Sequence, residues 1–270
     1  MHALYRNHMG SDIEVVNDAR ISFDASTDAV RWERIKITNP CQNAARLETD
    51  IPVLSQTDKN LIGVLARGCR SGEWEEALDF ITGEDELGTV SREQAHQLLT
   101  WVKRMPTHWT PFGQQVIKLR MKAPVPIRTQ SFKHKIGFVE NEESRRYIDS
   151  TPELFIPEYR SRPEGSIKQG SGGTHPDNEE WKAAYIQKCE DMIEFYENQI
   201  KAGIAPEQAR FSLPQGVCVN WVWTGSLYAY AEFFNKRADS HAQGEIQELA
   251  NAAAKVIEPL FPVSWAALTA

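Results

Sequence analysis

The segment QVIKLRMKA alternates cleanly, with Ile117, Leu119, Met121 and Ala123 on one side and Lys118, Arg120 and Lys122 on the other. That period of two predicts a half-buried strand, ended by Pro124 and Pro126. Helical spacing dominates elsewhere. SREQAHQLLTWVKRMP opens on a capping box, Ser91 to Gln94, and puts Ala95, Leu98, Leu99 and Val102 on one stripe before Pro106, predicting a helix from about Ser91 to Lys103. KNLIGVLARGCRSGEWEEALDFITG reads as two short helices broken at Gly63 and Gly68. A helix is expected after Pro126, through Arg128 to about His134, with Gln130, Lys133 and His134 on one face. Glu142, Ser144 and Arg146 alternate and face together if that segment is extended.

Further on, EYRSRPEGSIKQGSGGTHPDN lacks any period, so the span from about 157 to 178 reads as a long mobile loop, either disordered or a lid. A long amphipathic helix follows, with Trp181, Tyr185, Cys189, Met192, Tyr196 and Ile200 at helical spacing and Gly203 as its stop. Two more helices are expected. One runs from about Ser226 into Arg237; the other, after Ser240, carries Ile246, Leu249, Ala250, Ala253, Ile257 and Leu260 on one stripe. These stripes read as packing rather than cofactor stacking. No βαβ run alternates along the chain, so the fold class is α+β.

Composition adds bounds. The 270 residues, 41% hydrophobic and 25% charged, suit one large globular domain, with or without insertions. No apolar run is long enough to cross a bilayer, and the polar start MHALYRNHMGSD has no signal-peptide core, so a cytoplasmic protein is expected. Cys41, Cys69, Cys189 and Cys218 form no C-x-x-C pair and the histidines are dispersed, which argues against a disulfide framework and a metal site. Dinucleotide, P-loop, zincin and serine-hydrolase fingerprints are all missing from the sequence.

Charge changes the picture more. The chain carries a formal −7, yet between Lys118 and Arg146 eight cations stand against three glutamates. A small basic island on an acidic chain fits one small anionic ligand better than nucleic acid. Two further clusters bear chemistry: HWTPFG, with His108 and Thr110, and FNKRADSHAQGEIQ, with Arg237, Asp239, Ser240, His241 and Gln243. The bland readings are a capped turn, a helix N-cap at Ser240 and a helix C-terminal charge at Arg237. Against them, Arg237 and the island together make a clamp for a phosphorylated heterocycle. Arginine offers planar donors, Ser144 a hydroxyl for phosphate, and Gln130 a donor and an acceptor for a pyrimidine edge. Composition alone leaves that clamp and a solvated basic face both open.

The order of segments resolves more. FKHK…NEESRRY resembles the signature of the flavin-dependent thymidylate synthases: Arg-His-Arg, a seven-residue spacer, then Ser. MGSDIEVVNDARISFD, HWTPFGQQVIKLRMKAPVPIRTQSF, APEQARFSLP and RADSHAQGEIQELA are similar to family segments, in family order. About Thr49 to Met105, the loop at 157–178 and the extreme C-terminus lie outside the likeness. The expectation is therefore a single domain over 1–270 with a helical insertion at about 50–105. The resemblance implies a mixed sheet flanked by long helices, a homotetramer whose sites are shared between subunits, bound FAD, NADPH as reductant, and methylenetetrahydrofolate as carbon donor for dUMP to dTMP. It implies no cysteine nucleophile.

Carried over by position, Arg237 matches the arginine that polarises and helps ionise the uracil imide. Gln130, Lys133, Glu142, Ser144, Arg146 and Arg210 match dUMP contacts. Thr110, Lys133, His134, Lys135, Glu142, Ser226, Tyr228, Glu232 and His241 match positions near FAD, and His108 a histidine close to the flavin or folate. Departures are visible. Lysines stand at 133 and 135 in place of arginines, eight residues separate Lys135 from Ser144, and Ser226-Leu227-Tyr228 replaces Asn-x-Arg. They leave open a relative that acts on another pyrimidine nucleotide or delivers a hydroxymethyl group. A non-catalytic nucleotide- or nucleic-acid-binding relative is the remaining alternative.

Overall fold

A computed structural model describes residues 1–21, 25–29, 31–37, 47–66, 69, 91–103, 108–163 and 171–269. Four strands make the main sheet: β1 (His2–Met9), β4 (Val116–Pro124), β5 (Phe138–Glu142) and β6 (Cys218–Ser226), in the order β1-β4-β6-β5. Every pairing in it is antiparallel, where the resemblance implied a mixed sheet. β2 (Arg31–Ile37) and β3 (Leu47–Val53) form a separate antiparallel ribbon. The α+β class follows directly from these pairings.

The alternation in β4 sets the core. Ile117, Leu119, Met121 and Ala123 are each 0% exposed, and the register puts Leu119 opposite Trp223 and Met121 opposite Trp221 on the buried face. A one-residue slip would turn all four outward, so burial fixes the register.

Around the sheet lie α1 (Asp12–Arg20), α2 (Gln56–Ala66), α4 (Thr110–Gln114), α5 (Val125–Ser131), α8 (Leu227–Arg237), α9 (Gly244–Ile257) and α10 (Pro262–Thr269). The stripe on α9 is buried as its spacing requires, and α9 lies across β1 and β4. α3 (Arg92–Lys103) begins at the expected capping box: Gln94 N–H donates to Ser91 Oγ at 3.2 Å and Ser91 N–H to Gln94 Oε1 at 3.0 Å. The second short helix expected after Gly68 lies outside the described residues.

α10 has no counterpart in the sequence reading. Its start is held by Asp12, 0% exposed, whose carboxylate oxygens accept from Val263 N–H at 2.9 Å and Ser264 N–H at 3.0 Å. A carboxylate at a helix N-terminus meets the donors that no intrahelical carbonyl can serve.

Three local expectations are corrected. α5 ends at Ser131, whose hydroxyl bonds back to the Ile127 carbonyl at 3.0 Å, so Lys133 and His134 sit in a following turn rather than on one helical face with Gln130. Residues 144–148 are turn, not strand: Tyr147 and Ile148 N–H both donate to the Ser144 carbonyl, at 3.0 and 3.2 Å. Along α6 (Asn178–Lys201), Cys189 and Tyr196 are buried, but Trp181 and Met192 are 54% and 41% exposed, so only part of that stripe packs within the chain.

The span at 157–178 has order on both sides of residues 164–170, which lie outside the described residues. Ser161 N–H donates to the Gly173 carbonyl and Gly172 N–H to the Ser161 carbonyl, and Arg160 pairs with Glu245 at the start of α9.

Candidate functional site

The loop after α5 is anchored by one glycine. Gly137 has φ +77°, and a Cβ there would come 2.8 Å from the Ala229 Cβ. Its carbonyl accepts from Ser226 N–H at 3.1 Å. The basic loop is thereby held against the first turn of α8, at a backbone angle and an approach that suit glycine.

At the other end of α8, Arg237 donates through Nε–H to His134 Nε2 at 2.9 Å. The His134 ring stands edge-on to Phe233, centroids 5.0 Å apart. Burial, then the neighbouring charges of Arg237 and Lys236, lower the imidazole from 6.5 to about 4. His134 is therefore a neutral acceptor that orients the guanidinium while leaving its terminal nitrogens for a ligand. Between the two values the unfolded chain holds a proton that the native chain does not, so this histidine costs stability as pH falls from 6.5 towards 4. An NMR titration of the ring should show a midpoint near 4; one near 6.5 would mean that His134 and Arg237 are not in contact.

Gln130 and Gln243 meet where α5 reaches the start of α9, Nε2–H to Oε1 at 2.7 Å. Glu142, the last residue of β5, is ion-paired to Arg128 at 3.2 Å, and Arg128 also lies over the Phe132 ring. Burial raises the Glu142 carboxyl above its ordinary range, with Arg128 opposing that shift.

A third cluster brings together arginines distant in sequence. Arg146 donates through Nε–H to Glu207 Oε2 at 3.3 Å, and Arg210 through Nε–H to the Glu207 carbonyl at 3.1 Å. Ser144 Oγ accepts the Arg146 N–H at 3.3 Å. Both residues are exposed beside the turn that starts at Ser144, and guanidiniums with a nearby hydroxyl are a donor set that phosphate recognition uses. Glu207 was missed in sequence. Its signal was its position three residues before Arg210 on the short α7 (Pro206–Ala209).

His108, Thr110, Ser226 and Tyr228 gather at the starts of α4 and α8, which pack together. Thr110 opens α4, with His108 and Trp109 exposed just before it. Ser226 caps α8 by accepting the Ala229 N–H at 3.1 Å. The Tyr228 phenol is pushed up to about 12 by burial and then by the Glu232 charge, so it stays protonated. Glu232 pairs with Lys236 at 2.7 Å, and Lys135 pairs with Glu140. Lys133 is exposed, without a carboxylate partner among the described residues. His241 is held by Asp239, ring nitrogen to carboxylate at 2.9 Å, in the connection between α8 and α9. No hydrogen bond, ion pair or ring contact among the described residues joins His108, Thr110 or His241 to the Arg237 cluster.

A cationic loop held against a helix, with two arginines converging on a turn, is an arrangement whose donors suit a phosphorylated heterocycle. The profile of the family described as thymidylate synthase complementing protein matches residues 52–263. The flavin-dependent thymidylate synthase of Kosmotoga olearia is 34% identical over 164 residues, covering 59% of this chain and 70% of that one. The Thermus thermophilus enzyme of the same name is 31% identical over 181 residues, covering 67% and 66%. A solved structure of the UMP/dUMP methylase PolB from Streptomyces cacaoi, bound with 5-Br dUMP, superposes with a TM-score of 0.68 over 99% of this chain and 94% of that one, at 19% identity. The chain belongs to the flavin-dependent thymidylate synthase family.

The residues present fit the flavin that this family uses. Exposed Lys133 offers charge to a pyrophosphate, Thr110 and protonated Tyr228 offer hydroxyls, and the starts of α4 and α8 leave aromatic side chains partly open.

Proposed function

We infer that the chain converts dUMP to dTMP, taking the carbon from methylenetetrahydrofolate. FAD, reduced by NADPH, supplies the hydride when bound. The departures at 133, 135 and 226–228 motivate the alternative pyrimidine and hydroxymethyl readings, but the family match and the curated relatives favour dUMP to dTMP.

The observation that carries the site is the Arg237–His134 contact, in which a neutral imidazole aims a permanent cation. That half-buried guanidinium binds the uracil imide and stabilises negative charge as it builds on the carbonyl oxygen, where an aimed cation lowers the barrier. Gln130, oriented by Gln243, reads the pyrimidine edge. Ser144, Arg146 and Arg210 take the phosphate, with Glu207 holding the two arginines at one turn. Glu142, with its carboxyl raised, contacts the ligand where nucleotide and flavin adjoin. Lys133, His134, Lys135, Thr110, Ser226, Tyr228, Glu232 and His241 serve the flavin side, and His108 stands at its margin. Lysine at 133 and 135 makes those contacts point charges rather than forks.

The site is completed by other copies of the chain in a homotetramer. Support comes from the exposed apolar residues Trp181, Met192 and Phe195 on α6 and Phe211 (84% exposed) just beyond it, a face that no part of this chain's described core covers. No helix among the described residues is long and apolar enough to cross a membrane. The buried thiols Cys69, Cys189 and Cys218 suit the reducing cytoplasm.

The test is one incubation with FAD, NADPH, methylenetetrahydrofolate and dUMP, with the nucleotide identified by mass. dTMP is the expected product. Unchanged dUMP with bound, reducible flavin would overturn the assignment, and a product heavier by one oxygen would point to hydroxymethyl transfer.

A further inference from the structure

Trp109 belongs to no buried stripe and to no signature motif. Its indole remains 44% exposed although it has two neighbours. Against it is Gly113, where a Cβ would come 2.8 Å from Trp109 Cζ3, so the six-membered ring of the indole packs closely on the α4 glycine. Beside it is Tyr228, with ring centroids 5.5 Å apart and planes inclined by 34°. The two rings thus share one tilted apolar surface, with the indole only partly covered. The Tyr228 hydroxyl stays protonated at neutral pH, so it adds a donor and no charge. Tyr228 also stands where the resemblance places an arginine, in a chain that has already exchanged two motif arginines for lysines.

We propose that Trp109 and Tyr228 form an aromatic ledge that takes a planar ring of FAD face-on, which makes Trp109 a cofactor contact outside the family motif. The proposal rests on the flavoprotein reading above. Part of the cofactor's hold moves from charge to stacking, an interaction that tolerates any flat π-face and depends little on salt. Gly113 is what lets the indole approach this closely; a side chain there would push it away.

FAD has two planar rings, the isoalloxazine and the adenine, and either has the chemistry that the ledge selects. The experiment titrates FAD and FMN into the wild-type protein, Trp109→Ala and Trp109→Phe, following flavin emission and bound fraction. Loss of one stacking partner is expected to weaken FAD about tenfold in Trp109→Ala, while Trp109→Phe stays within about threefold. If FMN weakens equally and bound-flavin emission rises in the alanine variant, the isoalloxazine is the stacked ring. If only FAD weakens and ADP ceases to compete, it is the adenine. Trp109→Ala that binds FAD with wild-type affinity and emission overturns the ledge alone. A wild-type protein that takes up no FAD overturns the flavoprotein reading and the ledge with it. Because Trp109 is half exposed, the alanine variant should keep its fold, and an unchanged melting curve without ligand checks this.

Discussion

Arg237→Ala protein is expected to assemble and melt like the wild type while dTMP formation falls by about two to three orders of magnitude. The residue lies at the last turn of α8, and the described structure gives it one side-chain bond, to a neutral histidine. Removing it therefore costs the fold little. Removing it costs the reaction the one cation aimed by a preorganised partner, and an aligned donor of that kind is worth about 2.7–4 kcal/mol to a charged transition state. Arg237→Lys should rescue poorly, since an ammonium has no planar fork to match an imide. The loss should appear mainly in kcat, because the phosphate cluster at Arg146 and Arg210 continues to hold the nucleotide. Normal turnover in Arg237→Ala would mean that the reacting centre lies elsewhere.

Asp12→Ala is the complementary case: a large cost in stability far from the reaction. Its carboxylate joins α1 to α10 through two backbone bonds spanning almost the whole chain. Loss of a buried acceptor that caps a helix and leaves two backbone donors unpaired is worth about 2–3 kcal/mol, or roughly 5–10 °C in Tm. Burial is the main cause that raises this carboxyl, and the bonds to Val263 and Ser264 oppose it. Its native pKa thus lies above its unfolded one. The group's favourable contribution is full below the ordinary carboxylate range and declines as pH rises through the raised value. Asp12→Asn should retain an acceptor, lose less stability than Asp12→Ala, and remove that part of the pH dependence. Thermal melts of the three proteins across acid and neutral pH would check both effects. Equal melting of wild type and Asp12→Ala would show that α10 is held by its apolar contacts alone.

The elements legible in the sequence were those whose pattern is set by burial on one face or by a local cap. β4, α9 and α3 are of this kind, since alternation, an apolar stripe and a Ser91–Gln94 box each leave a mark within a few residues. What failed depended on partners far away. α10 needs Asp12, and the early end of α5 needs the loop to reach Ala229 through Gly137. For the site, residue types and order pointed to the correct family and assigned a role to Arg237. They gave no sign that His134 would be its acceptor, because a helix continued to His134 would have turned that ring with Gln130 instead. Glu207 and Trp109 leave no local mark for the same reason: one bonds two distant arginines, the other packs against a tyrosine on another helix.

Strand order also sets when the protein can fold during its synthesis. β6 lies between β4 and β5, yet Cys218, its first residue, follows Glu142, the last of β5, by 76 residues. At about 5–20 residues per second, the signature strand waits roughly 4–15 s on the ribosome before its hydrogen-bonding neighbour exists. Until then Phe138 has no Trp223 to stack on, and β5 is an unpaired strand with an exposed valine at 139. The charges that follow that valine, Glu140 and Glu142, then guard it against pairing with another nascent chain.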